Sequence, residues 1–204
     1  MTFHLVITGD IIHSRKYDSS EWLPQLEKAL KRYSTDFDVF RGDSFQAELP
    51  LSNLFSSIFY LKSVIRQKEG MDVRMGIGVG EISYRDSSIK KTSGEAFVNS
   101  GKALDSLNKE SLAFISPWDD LNEQMNLILT LSTRLVDQWT ANMAEAVQMV
   151  MDYPDKSQLE ITQLLKRTHQ SQVSRELNKA NYTKLDQVIQ YCTKQLANYV
   201  DKSA

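Results

Sequence analysis

The stretch DVFRGDSFQAEL, from Asp38 to Leu49, decides the fold. The runs FDVF and SFQAEL flank Arg41, Gly42 and Asp43 as two short antiparallel strands flank a corner. A carboxylate at such a tip has two uses. It can serve the turn, since Gly-Asp suits a tight reversal, or it can hold a cation with a second carboxylate.

Upstream, FHLVITGDII is rich in β-branched residues and predicts a strand from about Phe3 to Ile12. Trp22, Leu23, Leu26, Ala29, Leu30 and Tyr33 then recur at helical spacing, with Pro24 in the first turn where its missing N–H does no harm. Downstream, helical periodicity returns from Leu51 through Phe55, Ile58, Phe59 and Leu61 to Ile65. Gly70 stops it, and MDVRMGIGVGEI supplies another strand.

The resulting β-α-β-β-α-β order predicts a ferredoxin-like sheet with helices on one face and the first strand beside the hairpin. Asp10, ending the first strand, then neighbours Asp43 at the hairpin tip. Such a pair suits a hard cation, Mg²⁺ or Mn²⁺, whose other ligands come from water or phosphate.

After a polar loop from Tyr84 to Ser93, Thr92 and Glu95 stand at capping-box spacing before a third helix. SLAFIS reads as a last strand closed by Pro117, and Asp120 with Glu123 as the cap of the next helix. From Leu121 onward five helical segments follow without a strand. The expected fold class is α+β: a ferredoxin-like α+β domain over residues 1–118 and an all-helical domain over 119–204, the latter including a pair of helices at about 157–181.

Composition bounds the function. The charged fraction of 25% and hydrophobic fraction of 41% are those of a folded globular chain. No stretch approaches the roughly 18 uninterrupted apolar residues of a membrane helix. The N-terminus lacks the pattern of a signal peptide, and the single cysteine, Cys192, cannot form an internal disulfide, so a cytoplasmic location is expected. The net charge of −2 excludes a uniformly basic coat. It hides a local patch: between Lys156 and Lys184 six basic residues face two acidic ones, a balance of +4.

That patch coincides with SQLEITQLLKRTHQSQVSRELNKA. Ser157 and Glu160 have capping-box spacing, Ile161, Leu164 and Leu165 form one inward face, and Val173 and Leu177 form the next. The run resembles a helix-turn-helix, although its turn, KRTH, lacks the common glycine. Gln170, Ser171, Gln172 and Arg175 are the expected surface toward double-stranded DNA, with Lys166 and Arg167 flanking the groove.

Other residues divide between uses. Arg15 and Lys16, following the first strand with His13 and Ser14, are candidates for phosphate contacts. Gly76, Gly78 and Gly80 are read as close strand packing, because no helix follows them directly as a dinucleotide-binding loop requires. For Arg74 an acidic partner and a phosphate are equally open. His4, His13 and His169 lie too far apart in sequence to suggest a zinc site.

VITGDII, VFRGDSFQA, VRMGIGVGEI and GEAFVNSGKALDSL resemble, in that order, the signature stretches of class III nucleotide cyclases. The RGDSF corner is also similar to that of diguanylate cyclases, and the chain as a whole resembles the SatD family of bacteria. The resemblance implies metal ligation by Asp10 and Asp43 and ribose contact by Asn99, with Lys102 nearby as a nucleotide contact. It departs from the cyclases at two places. Ala103 stands where a transition-state arginine is expected, and Val39 where a base-selecting lysine is. Three functions stay open: a DNA-binding transcription regulator with a degenerate nucleotide-sensing domain, an active cyclase or nucleotidyltransferase, and a non-catalytic interaction protein. The symmetry of helix-turn-helix dimers and paired cyclase palms leads to the expectation of a homodimer.

Overall fold

The computed structural model describes residues 2–34 and 36–203. It is mixed α+β. The strands are β1 (His4–Ile12), β2 (Asp36–Phe40), β3 (Ser44–Leu49), β4 (Asp72–Gly80), β5 (Ile82–Tyr84), β6 (Ser93–Gly94) and β7 (Leu112–Ile115). The helices are α1 (Leu23–Tyr33), α2 (Leu54–Ile65), α3 (Glu95–Asp105), α4 (Asp119–Val136), α5 (Ala141–Asp152), α6 (Gln158–Leu164), α7 (Gln170–Lys179) and α8 (Tyr182–Ser203).

Five strands form one sheet in the order β2-β3-β1-β4-β7, and β5 pairs with β6 apart from it. β1 is central, antiparallel to β3 and β4, while β7 joins β4 in parallel. The hairpin reverses through Arg41 (φ 54°) and Gly42 (φ 89°), a left-handed pair that glycine enters without a Cβ penalty. The Ile11 N–H donates to the Asp43 carbonyl at 3.0 Å, tying the tip to the end of β1.

The period-two alternation of β4 gives it two different faces. Val73, Met75, Ile77 and Val79 are buried with α1 and α2. Gly76 and Gly78 receive α3 so closely that a Cβ on Gly78 would lie 2.1 Å from the Ala96 carbonyl oxygen. Helices therefore cover both faces, and the expectation of one covered face fails at α3. The cause is the glycine row, which lets a third helix meet strand backbone.

The helical segments after β7 share the sheet's interior. Leu121, Met125 and Leu129 of α4 and Cys192 and Leu196 of α8 join the same apolar cluster as Ile7 and Phe45. A second cluster gathers Phe59 of α2 with Val136, Trp139, Val147, Ile161, Val173 and Leu185. α2 is thus enclosed from two sides, and every residue of it except Ser56 is buried.

β7 is an edge strand, and α4 satisfies it with side chains. The Phe114 N–H donates to Asn126 Oδ1 and Asn126 Nδ2 donates to the Phe114 carbonyl, both at 2.8 Å. Asn122 repeats the pairing one helical turn earlier, on the N–H (2.7 Å) and carbonyl (2.9 Å) of Ser116. Two amides four residues apart thereby act as a further strand, leaving fewer open groups on the edge.

Two expected caps are not formed. α3 begins at Gly94 without a side-chain cap, because Thr92 Oγ1 turns back to accept from the Asp86 N–H at 3.2 Å. α4 begins after Trp118, and Asp120 instead accepts a hydrogen bond from the Tyr199 hydroxyl of α8. The Ser157–Glu160 capping box is present.

The loop between β5 and β6 is strapped over the hairpin by Arg85 on Glu48 (2.7 Å) and Lys90 on Asp38 (3.0 Å). Desolvation raises the Glu48 carboxyl, but the hydrogen bonds from Arg85 and His4 outweigh it and hold the group below its ordinary value. A carboxyl so depressed contributes its stability above the unfolded value near 4.5 and loses it as pH falls through the lower folded value. Glu48→Gln is therefore expected to cost about 1 kcal/mol at pH 7 and to match wild type once Glu48 is protonated in both the folded and the unfolded chain, read by urea denaturation across that range. The glycine face gives a second expectation. Gly78→Ala should cost more than about 3 kcal/mol because backbone blocks the new methyl, whereas Gly101→Ala, with no atom within 4 Å of its Cβ, should be neutral or stabilise by about 0.5–1 kcal/mol. Equal denaturation midpoints for the two variants would refute the account.

Candidate functional site

Where β1 ends, the hairpin turns and β4 begins, a cavity of about 740 Å³ opens, within the range of small-molecule sites. Asp10, Arg15, Asp43, Arg74, Lys109 and Asp137 supply its charged wall together with Asp72 and Glu110. Asp10 and Asp43 line one cavity because Asp10 stands opposite Ser44 in the β1–β3 ladder, one residue past the hairpin tip.

Asp43 does not spend its carboxylate on its own turn. Ser14 Oγ donates to its Oδ2 at 2.7 Å. Asp10 is engaged differently, because the β1–β4 register sets it opposite Arg74. Arg74 Nε donates to Asp10 Oδ1 at 2.9 Å and Nη2 to Oδ2 at 2.5 Å, a bidentate pair about a third exposed. These hydrogen bonds hold the Arg74 guanidinium above its ordinary value. The alternatives for Arg74 thus resolve in this state toward the acidic partner.

The other expected nucleotide contacts separate. Arg15 lines the cavity. Lys16 turns away, donating from Nζ to the Glu69 carbonyl at 2.8 Å. Asn99 is buried on the sheet side of α3, where its Nδ2 donates to the Val79 carbonyl at 2.8 Å. Lys102 is exposed on α3 and does not line the cavity. Ala103 is fully buried beside Gly76, so no charged side chain reaches the cavity from there.

Beneath the cavity lies a charge network with only a faint sequence signal, a single lysine in the apolar run LFSSIFYLKSVI. Lys62 is fully buried, and its Nζ donates to Asp72 Oδ1 (3.1 Å), the Val73 carbonyl (3.1 Å) and Ser111 Oγ (2.9 Å). Burial pushes the Lys62 ammonium below the ordinary lysine value against the pull of Asp72. Arg66 donates to the other oxygen of Asp72 at 2.7 Å and to the Asp137 carbonyl at 2.9 Å. Asp72 thus joins α2, the start of β4 and the end of α4.

In the helical half, Val173 and Leu177 are buried as expected. Leu164, expected inward, is 43% exposed, because Ile161 and Leu165 fill the interior and the helix ends there. Lys166 adopts φ 52° and takes the left-handed turn position that glycine commonly fills. Gln170, Ser171, Arg175 and Lys166 are exposed. Gln172 accepts from the His169 N–H at 3.1 Å and so holds the start of α7. Arg167 is drawn inward, onto Glu145 at 2.7 Å and Glu176 at 3.6 Å.

Among the described residues there is no cluster of three or more His, Cys, Asp or Glu side chains able to hold a metal ion, and no helix long and apolar enough to cross a membrane. Compared with known proteins, the chain matches no protein-family model and no curated sequence.

Asp72→Ala should leave Lys62 uncompensated in the interior and cost about 3–5 kcal/mol. Adding Lys62→Met should recover part of that loss. Urea denaturation of the single and double variants measures both, and a single variant as stable as wild type would show that the network carries no such weight.

Proposed function

We propose that the protein is a DNA-binding regulator whose cavity at the end of β1 takes a phosphate-bearing nucleotide with Mg²⁺ or Mn²⁺. The observation that carries the DNA-binding part is the disposition of α7. Its apolar side, Val173 and Leu177, is fixed in a cluster with α5, α6 and α8, while Gln170, Ser171 and Arg175 stay on the exposed side. A short polar helix held from behind with exposed polar side chains near its N-terminus is what major-groove reading requires. Arg175 suits guanine or phosphate, and Lys166 a flanking phosphate. A homodimer, with two such helices on two half-sites, belongs to the same reading.

The strand order β2-β3-β1-β4, with α1 and α2 on one face, supports a ferredoxin-like palm. The cavity's donors fit a hard divalent cation, since Asp10, Asp43 and Ser14 present only oxygen. Such an ion would be held by Asp10 and Asp43 and would supply positive charge against phosphate oxygens. The second reading, an active cyclase or nucleotidyltransferase, draws on the same two aspartates. It ranks lower because Ala103, buried against β4, offers no charge to a transferring phosphoryl group.

Fluorescence anisotropy on genomic fragments at two salt concentrations tests the leading reading. Arg175→Ala should weaken the preferred site by about 1–3 kcal/mol, and Lys166→Ala should weaken all sequences with a salt slope shallower by about 1. Absence of DNA binding by the wild type at low salt would overturn it.

A further inference from the structure

The cavity holds three kinds of charge. Asp43 meets a hydroxyl and, among the described residues, no cation. Arg15 and Lys109 line the same wall and, among the described residues, form no ion pair. Between these stands the Asp10–Arg74 pair, with both carboxylate oxygens engaged. The remaining acids are answered from outside the cavity wall. Asp72 is met by Lys62 and Arg66, Glu110 by Arg134 at 3.1 Å, and Asp137, more loosely, by Arg66 at 4.0 Å.

A divalent cation approaching Asp10 alone meets a guanidinium already seated there. A phosphate approaching Arg74 alone meets a carboxylate. Either one must break a bidentate, charge-assisted contact and leave a charged partner uncompensated. When the two arrive together, one pair is replaced by two: the cation takes Asp10 with the free Asp43, and the anion takes Arg74 with the free Arg15 and Lys109. Two carboxylates leave a divalent ion short of its six ligands, so phosphate oxygens are the natural completion.

We propose that the Asp10–Arg74 pair is a latch that couples the two ligands, so that divalent cation and phosphate enter this cavity strongly only together. The inference rests on the nucleotide-cavity reading and adds to it a partner exchange by Arg74.

Isothermal titration calorimetry on the full chain tests it, with Mg²⁺ alone, inorganic triphosphate alone with chelator present, and triphosphate in excess Mg²⁺. In the wild type each ligand alone should bind at least tenfold more weakly than in the other's presence. Arg74→Gln frees Asp10, so Mg²⁺ alone should bind about tenfold tighter than in wild type while Mg²⁺-triphosphate binds more weakly. Asp10→Asn frees Arg74, so triphosphate alone should gain affinity in the same way. Circular dichroism establishes that each variant is folded, and either variant suffices if the other does not fold. If Mg²⁺-triphosphate binds the wild type but the single-ligand affinities do not move in the folded variants, the latch is refuted and the cavity stands. If Mg²⁺-triphosphate does not bind the wild type, the cavity reading and the latch fall together.

Discussion

A lysine ammonium inside the protein is the constraint on which much of the architecture depends. α2 lies between the sheet and the later helices, so Lys62 has no route to water. Left unpaired, such a charge would cost more than a domain of this size can offset. Asp72 answers it, and the same carboxylate draws in Arg66, whose second contact is the carbonyl at the end of α4. The first residue of β4, the core helix and, through Arg66, the end of α4 are thus tied together around one acid. Because Asp72 and Asp137 also line the cavity, its floor is made from the contacts that hold the halves together.

The strands and helices were legible in the sequence where one face is wet and the other dry. Alternation in SFQAEL and helical spacing in α1 gave those elements directly, and the five later helices followed from the same periodicity. The glycines of β4 were legible as close packing, yet not the helix they receive, since glycine spacing does not say which face is approached. Local capping rules failed at Thr92 and Asp120 for a shared reason. Each side chain had another partner, the backbone of the 86–88 loop just upstream for Thr92 and the distant Tyr199 for Asp120, that the capping-box pattern does not contain.

The candidate site divided along the same line. Asp10, Asp43 and Arg15 converge because strand order sets them there, and strand order followed from the β-α-β-β-α-β pattern. The Arg74 pairing required the β1–β4 register, which places Asp10 opposite Arg74 and which neither strand encodes alone. Asn99 was placed by resemblance, and its actual bond to the Val79 carbonyl depends on how deeply α3 settles onto glycine. Lys62 passed unnoticed because one lysine in an apolar helix usually reaches water along its own stem.

A side chain committed to a structural partner can meet a ligand only by breaking that contact, which orders the candidates by what the fold leaves over. In the helical half, Arg167 is committed to two glutamates and Gln172 to the start of α7, so Gln170, Ser171, Arg175 and Lys166 remain. In the cavity, Asp72 and Glu110 are committed and Asp137 is held loosely by Arg66, so Asp43, Arg15 and Lys109 remain. The residue sets differ in character. The first is polar and cationic on a convex helix, suited to a polyanionic groove. The second mixes both signs in a concavity, suited to a ligand that itself carries both signs, as a phosphate with its cation does. The Asp10–Arg74 pair belongs to neither group: it is committed, but both its members are about a third exposed, whereas Lys62 is fully buried against Asp72.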